Sequence, residues 1–204
     1  MELGHEQLDA LRKVSMVGMD RAAVALSQLM KRDISFKSPR VLTIDVARLP
    51  EFLGGRRQMV MGVCLKILGD ARGNIVMIFT RDDAARILEM LLPRDMAKGK
   101  LLTEMEVSTL KEVGNILASA YLNALGELFR KTFIPSVPVL TLDMAGEVVD
   151  YLLDQAGESE KQAVIIETEF SEKDRSFAAH FFLLPVLSSF SAMIDGIGVL
   201  NLVL

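Results

Sequence analysis

A single cysteine, Cys64, occurs among the 204 residues. No intrachain disulfide can form, so packing alone must hold the fold together. Histidine is almost as scarce, with only His5 and His180. They lie far apart in sequence, and neither they nor Cys64 has a companion at metal-ligand spacing, so no metal site is expected. Apolar runs never approach the 18 or more residues a membrane helix needs, so membrane insertion is not expected. The segment Met1-Glu2-Leu3-Gly4-His5-Glu6 lacks the basic stretch and apolar run of a signal peptide, which leads to the expectation of a cytoplasmic protein. Basic charge is not in excess: 23 Lys and Arg stand against 27 Asp and Glu, a formal charge of −4. Nucleic acid is therefore not an expected partner, since it calls for a basic face. There is no serine or cysteine nucleophile constellation. Gly196-Ile197-Gly198 lacks the third glycine and the following helix of a nucleotide-binding loop.

What the chain does have is apolar material: half its residues are hydrophobic and a quarter charged, enough for a substantial core. Its length fits one large domain or two small repeats sharing a core. Residues 4–32 read as a long amphipathic helix, with Leu8, Leu11, Val14, Val17 (or Gly18), Ala22, Ala25 and Leu29 at helical intervals. Val41 to Asp45 suggests a short strand and Leu49 to Phe52 a brief helix ending at Gly54-Gly55. Met59 to Leu68 and Asn74 to Phe79 read as a hairpin, followed by a helix over Arg81 to Leu92 that Thr80 and Asp83 can cap. The polar stretch Arg94 to Lys100 is the natural boundary. The order then repeats: a long helix over Thr103 to Lys131, a strand over Val139 to Asp143, a short helix over Met144 to Gln155, strands over Gln162 to Phe170 and Phe177 to Leu184, and a final helix from Pro185 to about Ile194. Long striped helices beside hairpins predict an α+β fold, with helices packed on an antiparallel or mixed sheet. The 12 methionines read as flexible core packing.

One spacing occurs in both halves. Ser108, Glu112 and Asn115 stand four and three residues apart, and Pro138 follows Asn115 after a gap of 22. Asp9, Lys13, Met16 and Pro39 keep the same intervals at an offset of 99. The frame survives twice, but in the first half Glu and Asn have become Lys and Met. This predicts a single domain of two repeats, about 4–98 with a degenerate site and about 101–204 with an intact one. The triplets Val41-Leu42-Thr43 and Val139-Leu140-Thr141 align at an offset of 98 instead. A one-residue insertion after Pro39 is the expected reason, because a slip would turn every side chain over.

The pattern Asp/Ser-x3-Glu-x2-Asn-x22-Pro resembles the signature of the CheC family, which also includes CheX and the phosphatase domain of FliY. Lys111-Glu112-Val113-Gly114-Asn115-Ile116 is similar to the family's catalytic helix. The resemblance spans essentially the whole chain. It implies two pseudo-symmetric halves with their long helices exposed side by side. It also implies an aspartyl-phosphate phosphatase acting on the phosphorylated response regulator CheY, with Asn115 orienting the attacking water and Glu112 pairing with a Lys of the partner. Ser108 and Gly114 would support the motif, and Pro138 would set the turn into its strand. No cofactor of its own is implied, because CheY brings both the phosphate and Mg²⁺. The receptor deamidase CheD is a second implied partner, for which residues 144–155 are the candidate region. The FliY-like variant fits less well, for want of an additional C-terminal switch-binding domain.

The chemistry fits those residue types. Residues three and four apart share a helix face, so Ser108, Glu112, Asn115 and Ser119 form one polar stripe. Leu110, Val113, Leu117, Tyr121 and Leu128 lie elsewhere and can anchor the helix. Asn donates and accepts hydrogen bonds without titrating. Gly114 costs roughly 1 kcal/mol of helix propensity relative to Ala. With no packing gain evident in the sequence, it is read as leaving room for a partner's close approach. In the first half Lys13 would repel a partner Lys and Met16 has no amide, so that site is expected to be inactive. The competing expectation is a non-catalytic chemotaxis module that sequesters CheY or regulates CheD.

Overall fold

Side-chain alternation gives the central strands two apolar faces, and helices cover both. The computed structural model describes residues 5–70, 72–92, 102–156, 162–172 and 175–185. The elements run α1 (His5–Met30), β1 (Ser35–Phe36), β2 (Arg40–Asp45), α2 (Leu49–Phe52), β3 (Met59–Gly69), β4 (Gly73–Thr80), α3 (Arg81–Leu91), α4 (Glu104–Phe129), β5 (Phe133–Pro135), β6 (Val139–Met144), α5 (Ala145–Ala156), β7 (Gln162–Glu172) and β8 (Arg175–Pro185). In β3, Met61, Val63, Leu65 and Ile67 point to one core, which they share with apolar side chains of α1, α3 and α4. Val60 of β3, Val76 and Ile78 of β4 and Ile165 of β7 point to the other, beneath α2 and α5. Period two in the strands thus divides the interior into two layers. The α+β expectation holds, and every described pairing is antiparallel.

The eight strands form one sheet in the order β1-β7-β8-β4-β3-β5, with β2 also on β7 and β6 also on β3. The hairpins β3–β4 and β7–β8 meet along β4 and β8. The leading strands of each half cross over: β1 and β2 pair with β7, while β5 and β6 pair with β3. The two- and three-residue strands β1 and β5 were not expected, being too short for any alternation to mark them.

The register corrects the reading of the repeated triplet. Val41 and Leu140 both pack against the long-helix core, whereas Leu42 packs against the opposite one. Arg40 lies opposite Glu167 in β7 and Val139 lies opposite Cys64 in β3. The strands therefore correspond at the offset of 99, with no insertion after Pro39. The identical triplets simply face opposite ways, as a one-residue shift requires. The same offset relates Lys31 and Arg130, the left-handed residues that end the two long helices, at φ 51° and 52°.

Val17 and Leu29, expected on the buried stripe of α1, are half-exposed, and Gly18 takes the inward position with Met19, Ala22, Ala23 and Leu26. The helix expected from Pro185 onward, the boundary at 94–100 and Gly196 to Gly198 lie outside the described residues, as do the side chains of Leu128 and His180. Among the described residues, no helix is long and apolar enough to cross a membrane.

Candidate functional site on the second long helix

The sequence around Thr103 fixes where α4 begins. Thr103 Oγ1 accepts from the Glu106 backbone N–H at 3.2 Å, and Glu106 Oε2 accepts from the Thr103 N–H at 2.7 Å. This reciprocal capping box satisfies two of the donors a helix start leaves unpaired. Leu110, Val113, Leu117, Ala118, Tyr121, Leu122 and Leu125 are all buried, which turns one side of α4 firmly to the core. The other side carries the stripe: Ser108 and Glu112 are exposed, Asn115 and Ser119 half-buried. The structure thus brings Ser108, Glu112 and Asn115 to one open face.

Gly114 is buried, and its role differs from the one expected. A Cβ there would stand 2.5 Å from Val63 Cγ1 and 3.1 Å from Met77 Cε. The missing side chain lets the sheet approach, not a partner. Glycine at this position seats α4 on β3 and β4 and so sets the height of its neighbour Asn115.

The first half places its residues in the same pattern. Asp9 and Lys13 are exposed, Met16 is 39% exposed and Pro39 is buried. The Ser38 hydroxyl donates to Met16 Sδ at 3.5 Å. That contact gives the 22-residue gap a spatial meaning, since it brings the corner before β2 against the third motif position of the helix, the one Asn115 holds on α4. At the offset of 99, Ser38 and Pro39 correspond to Val137 and Pro138, in the corner between β5 and β6. Serine 136, in that corner, exchanges hydrogen bonds with the Lys66 backbone, its N–H donating to Lys66 O and its Oγ accepting from Lys66 N–H, each at 2.9 Å.

Two apolar residues near the site escaped the sequence reading. Met105, 53% exposed, lies three residues before Ser108 and so heads the same stripe. Val137 is 83% exposed. The expectation of methionines as core packing fails at Met105, which faces out, as do Met16, Met59 and Met144. Its place seven residues before Glu112 was the available signal.

Away from the stripe, α4 and α1 are tied by the side chains of Arg21 and Glu127, with Arg21 Nη1 donating to Glu127 Oε1 at 2.7 Å. This hydrogen bond holds the Glu127 carboxyl below and the Arg21 guanidinium above their ordinary ranges. On the opposite side of the sheet, a cleft of about 420 Å³ opens between β3, β6 and α5, lined in part by Cys64, Val139, Thr141, Val148 and Tyr151. Burial pushes the Cys64 thiol up to about 11, so it stays a protonated, weakly reactive group. Among the described residues, no three His, Cys, Asp or Glu side chains are grouped to hold a metal ion.

The profile of the CheC-like family matches residues 105–142, a span that contains Ser108, Glu112, Asn115 and Pro138. The CheY-P phosphatase CheC of Bacillus subtilis (strain 168) is 32% identical over 197 residues, covering 95% of this chain and 94% of that protein. Among solved structures, Thermotoga maritima FliY superposes with a TM-score of 0.78 at 17% identity, over 96% of this chain and 97% of its own. The FliM middle domain of H. pylori superposes with a TM-score of 0.69 at 13% identity, over 95% and 99%. The last two are likenesses of fold. The identity to the Bacillus protein along nearly the full length of both is more, and with the motif on an open helix face it shows that this chain belongs to the CheC-like family.

Proposed function

We propose that the protein is a phosphatase for the aspartyl phosphate of a CheY-type response regulator, working through Asn115 and Glu112. The observation that carries this reading is the open stripe on α4: both side chains reach solvent on one face while the opposite face is locked into the core. An acyl phosphate already loses its phosphoryl group slowly to water, and phosphoryl transfer is governed mainly by positioning and electrostatics. A phosphatase of this kind needs to place one water in line with the scissile bond. The water oxygen bonds to phosphorus, the P–O bond to the aspartyl carboxylate breaks, and inorganic phosphate leaves. The Asn115 amide can accept from that water and donate to the phosphoryl oxygens at once. Glu112, one turn away and exposed, would pair with the partner's Lys and hold the docked geometry. Mg²⁺ would come with the partner, bound beside its phosphate. Ser108 would line the docking face, and Gly114 and Pro138 would set the framework beneath it.

CheD is the second partner in this reading, and α5 with the adjoining cleft is its candidate surface. That face carries exposed Tyr151, Val139 and Met144, whereas the first half has only the four-residue α2 in the corresponding place.

The test is phosphate release from excess phosphorylated CheY with catalytic amounts of protein. Wild type should accelerate release and Asn115→Ala should not, although it still binds the regulator. Glu112→Ala should weaken binding. Acceleration by Asn115→Ala would sink the water-positioning role. Binding without turnover by the wild type would leave a module that sequesters the regulator.

A further inference from the structure

Glu112 and Asn115 can act together only if α4 presents them at one rotational setting. The side of α4 that meets α1 carries Tyr121, fully buried and six residues beyond Asn115. Its ring lies so close against Gly18 of α1 that a Cβ there would overlap the ring Cδ2. Its hydroxyl oxygen is 3.2 Å from Ser15 Oγ, and Ser15 is fully buried as well. Burial pushes the Tyr121 hydroxyl up to about 12, so it remains protonated at working pH.

The contact runs one way. At the offset of 99, Ser15, Gly18 and Tyr121 correspond to Gly114, Leu117 and Ala22, none of which can supply the ring, the gap beneath it or the hydroxyl pair. The helix that has lost Glu and Asn therefore carries a socket, and the helix that has kept them carries the key. The Arg21–Glu127 ion pair ties the same helices six residues further along each, but it is exposed and open to salt screening. The buried contact is the one able to hold a setting.

We propose that Ser15 and Gly18 form a socket for Tyr121 that fixes the rotation of α4, at the height the Gly114 seat sets, making the first-half helix a positioning element for Asn115. This rests on the phosphatase reading above. A misplacement of about 1 Å in a group that orients a reactant costs on the order of 100-fold in rate. Loss of the socket should therefore appear in turnover more than in docking, because Glu112 and the exposed face remain.

Tyr121→Phe keeps the ring and removes the hydroxyl pair, and Ser15→Ala removes the same pair from the other side. Each should lower kcat for phosphorylated CheY about ten-fold while KM stays within about two-fold. The double variant should be no worse than Tyr121→Phe alone, as expected when Ser15→Ala removes nothing beyond the shared hydroxyl pair. Both should remain folded in a thermal melt. Amide hydrogen exchange over residues 108–119 should quicken in each. Unchanged kcat, or a loss in KM alone, overturns the proposal. Wild type and Asn115→Ala run in parallel separate the two claims. If wild type has no activity the phosphatase reading falls, and unchanged exchange in the two variants would then show that the socket does not set α4 either.

Discussion

At Gly114 two effects oppose each other, and their sizes decide the outcome. An added methyl would gain about 1 kcal/mol of helix propensity. It would also stand 2.5 Å from Val63 Cγ1, in a layer where both residues are buried. Overpacking of this kind costs about 1–3 kcal/mol. Gly114→Ala should therefore lower stability by roughly 1 kcal/mol net, and Val63→Ala in the same chain should recover part of the loss. Urea unfolding of wild type and these two variants measures this, and a higher midpoint for Gly114→Ala alone would refute the close approach. The sequence marked Gly114 as costly in mid-helix but gave no means of telling what came near it, because Val63 and Met77 are brought there only by the sheet. Glu112 and Asn115 were legible for the opposite reason: polarity at intervals of three and four along an apolar helix defines a face without reference to anything else.

Among the elements, those that carry their own local signals were read closely. Thr80 with Asp83 caps α3 as expected, with Thr80 Oγ1 accepting from the Asp83 N–H at 3.1 Å, and the Thr103–Glu106 box at the start of α4 is a signal of the same kind. The hairpins followed from alternating apolar residues around charged or glycine-containing turns. β1 and β5 carry no such signal, and the facing of β2 and β6 depends on strands of the opposite half. Comparing the two long helices gives a further prediction. Lys13 and Met16 occupy the face that Glu112 and Asn115 occupy on α4, yet they offer neither a carboxylate nor an amide. Lys13→Ala combined with Met16→Ala should leave phosphate release unchanged within about two-fold, because exposed side chains outside the chemistry rarely matter to it. A several-fold loss would show that the first face contributes. Against this, the buried side of α1 should be sensitive, since Ser15 and Gly18 are where α4 is held.

For the whole molecule, the crossing of the leading strands is decisive. Cut in the boundary between Leu92 and Leu102, the chain would yield a first half whose β1 and β2 lack β7, and a second half whose β5 and β6 lack β3. Each would expose unpaired strand edges of the kind that drive association. Each half expressed alone should therefore be unfolded or aggregated. The two expressed together should give a soluble protein with the helical circular dichroism of the intact chain. A monomeric, cooperatively folded single half would refute the dependence. None of this exchange could be read from the sequence, whose repeats run one after the other as though each closed on itself. It also bears on descent. A sheet closed by exchange can be completed by two copies of one half as well as by a tandem chain. Fusion of such a pair would then need only a linker. After fusion, one copy would be free to lose its reactive face while staying bound to the molecule by strands that its sibling cannot fold without.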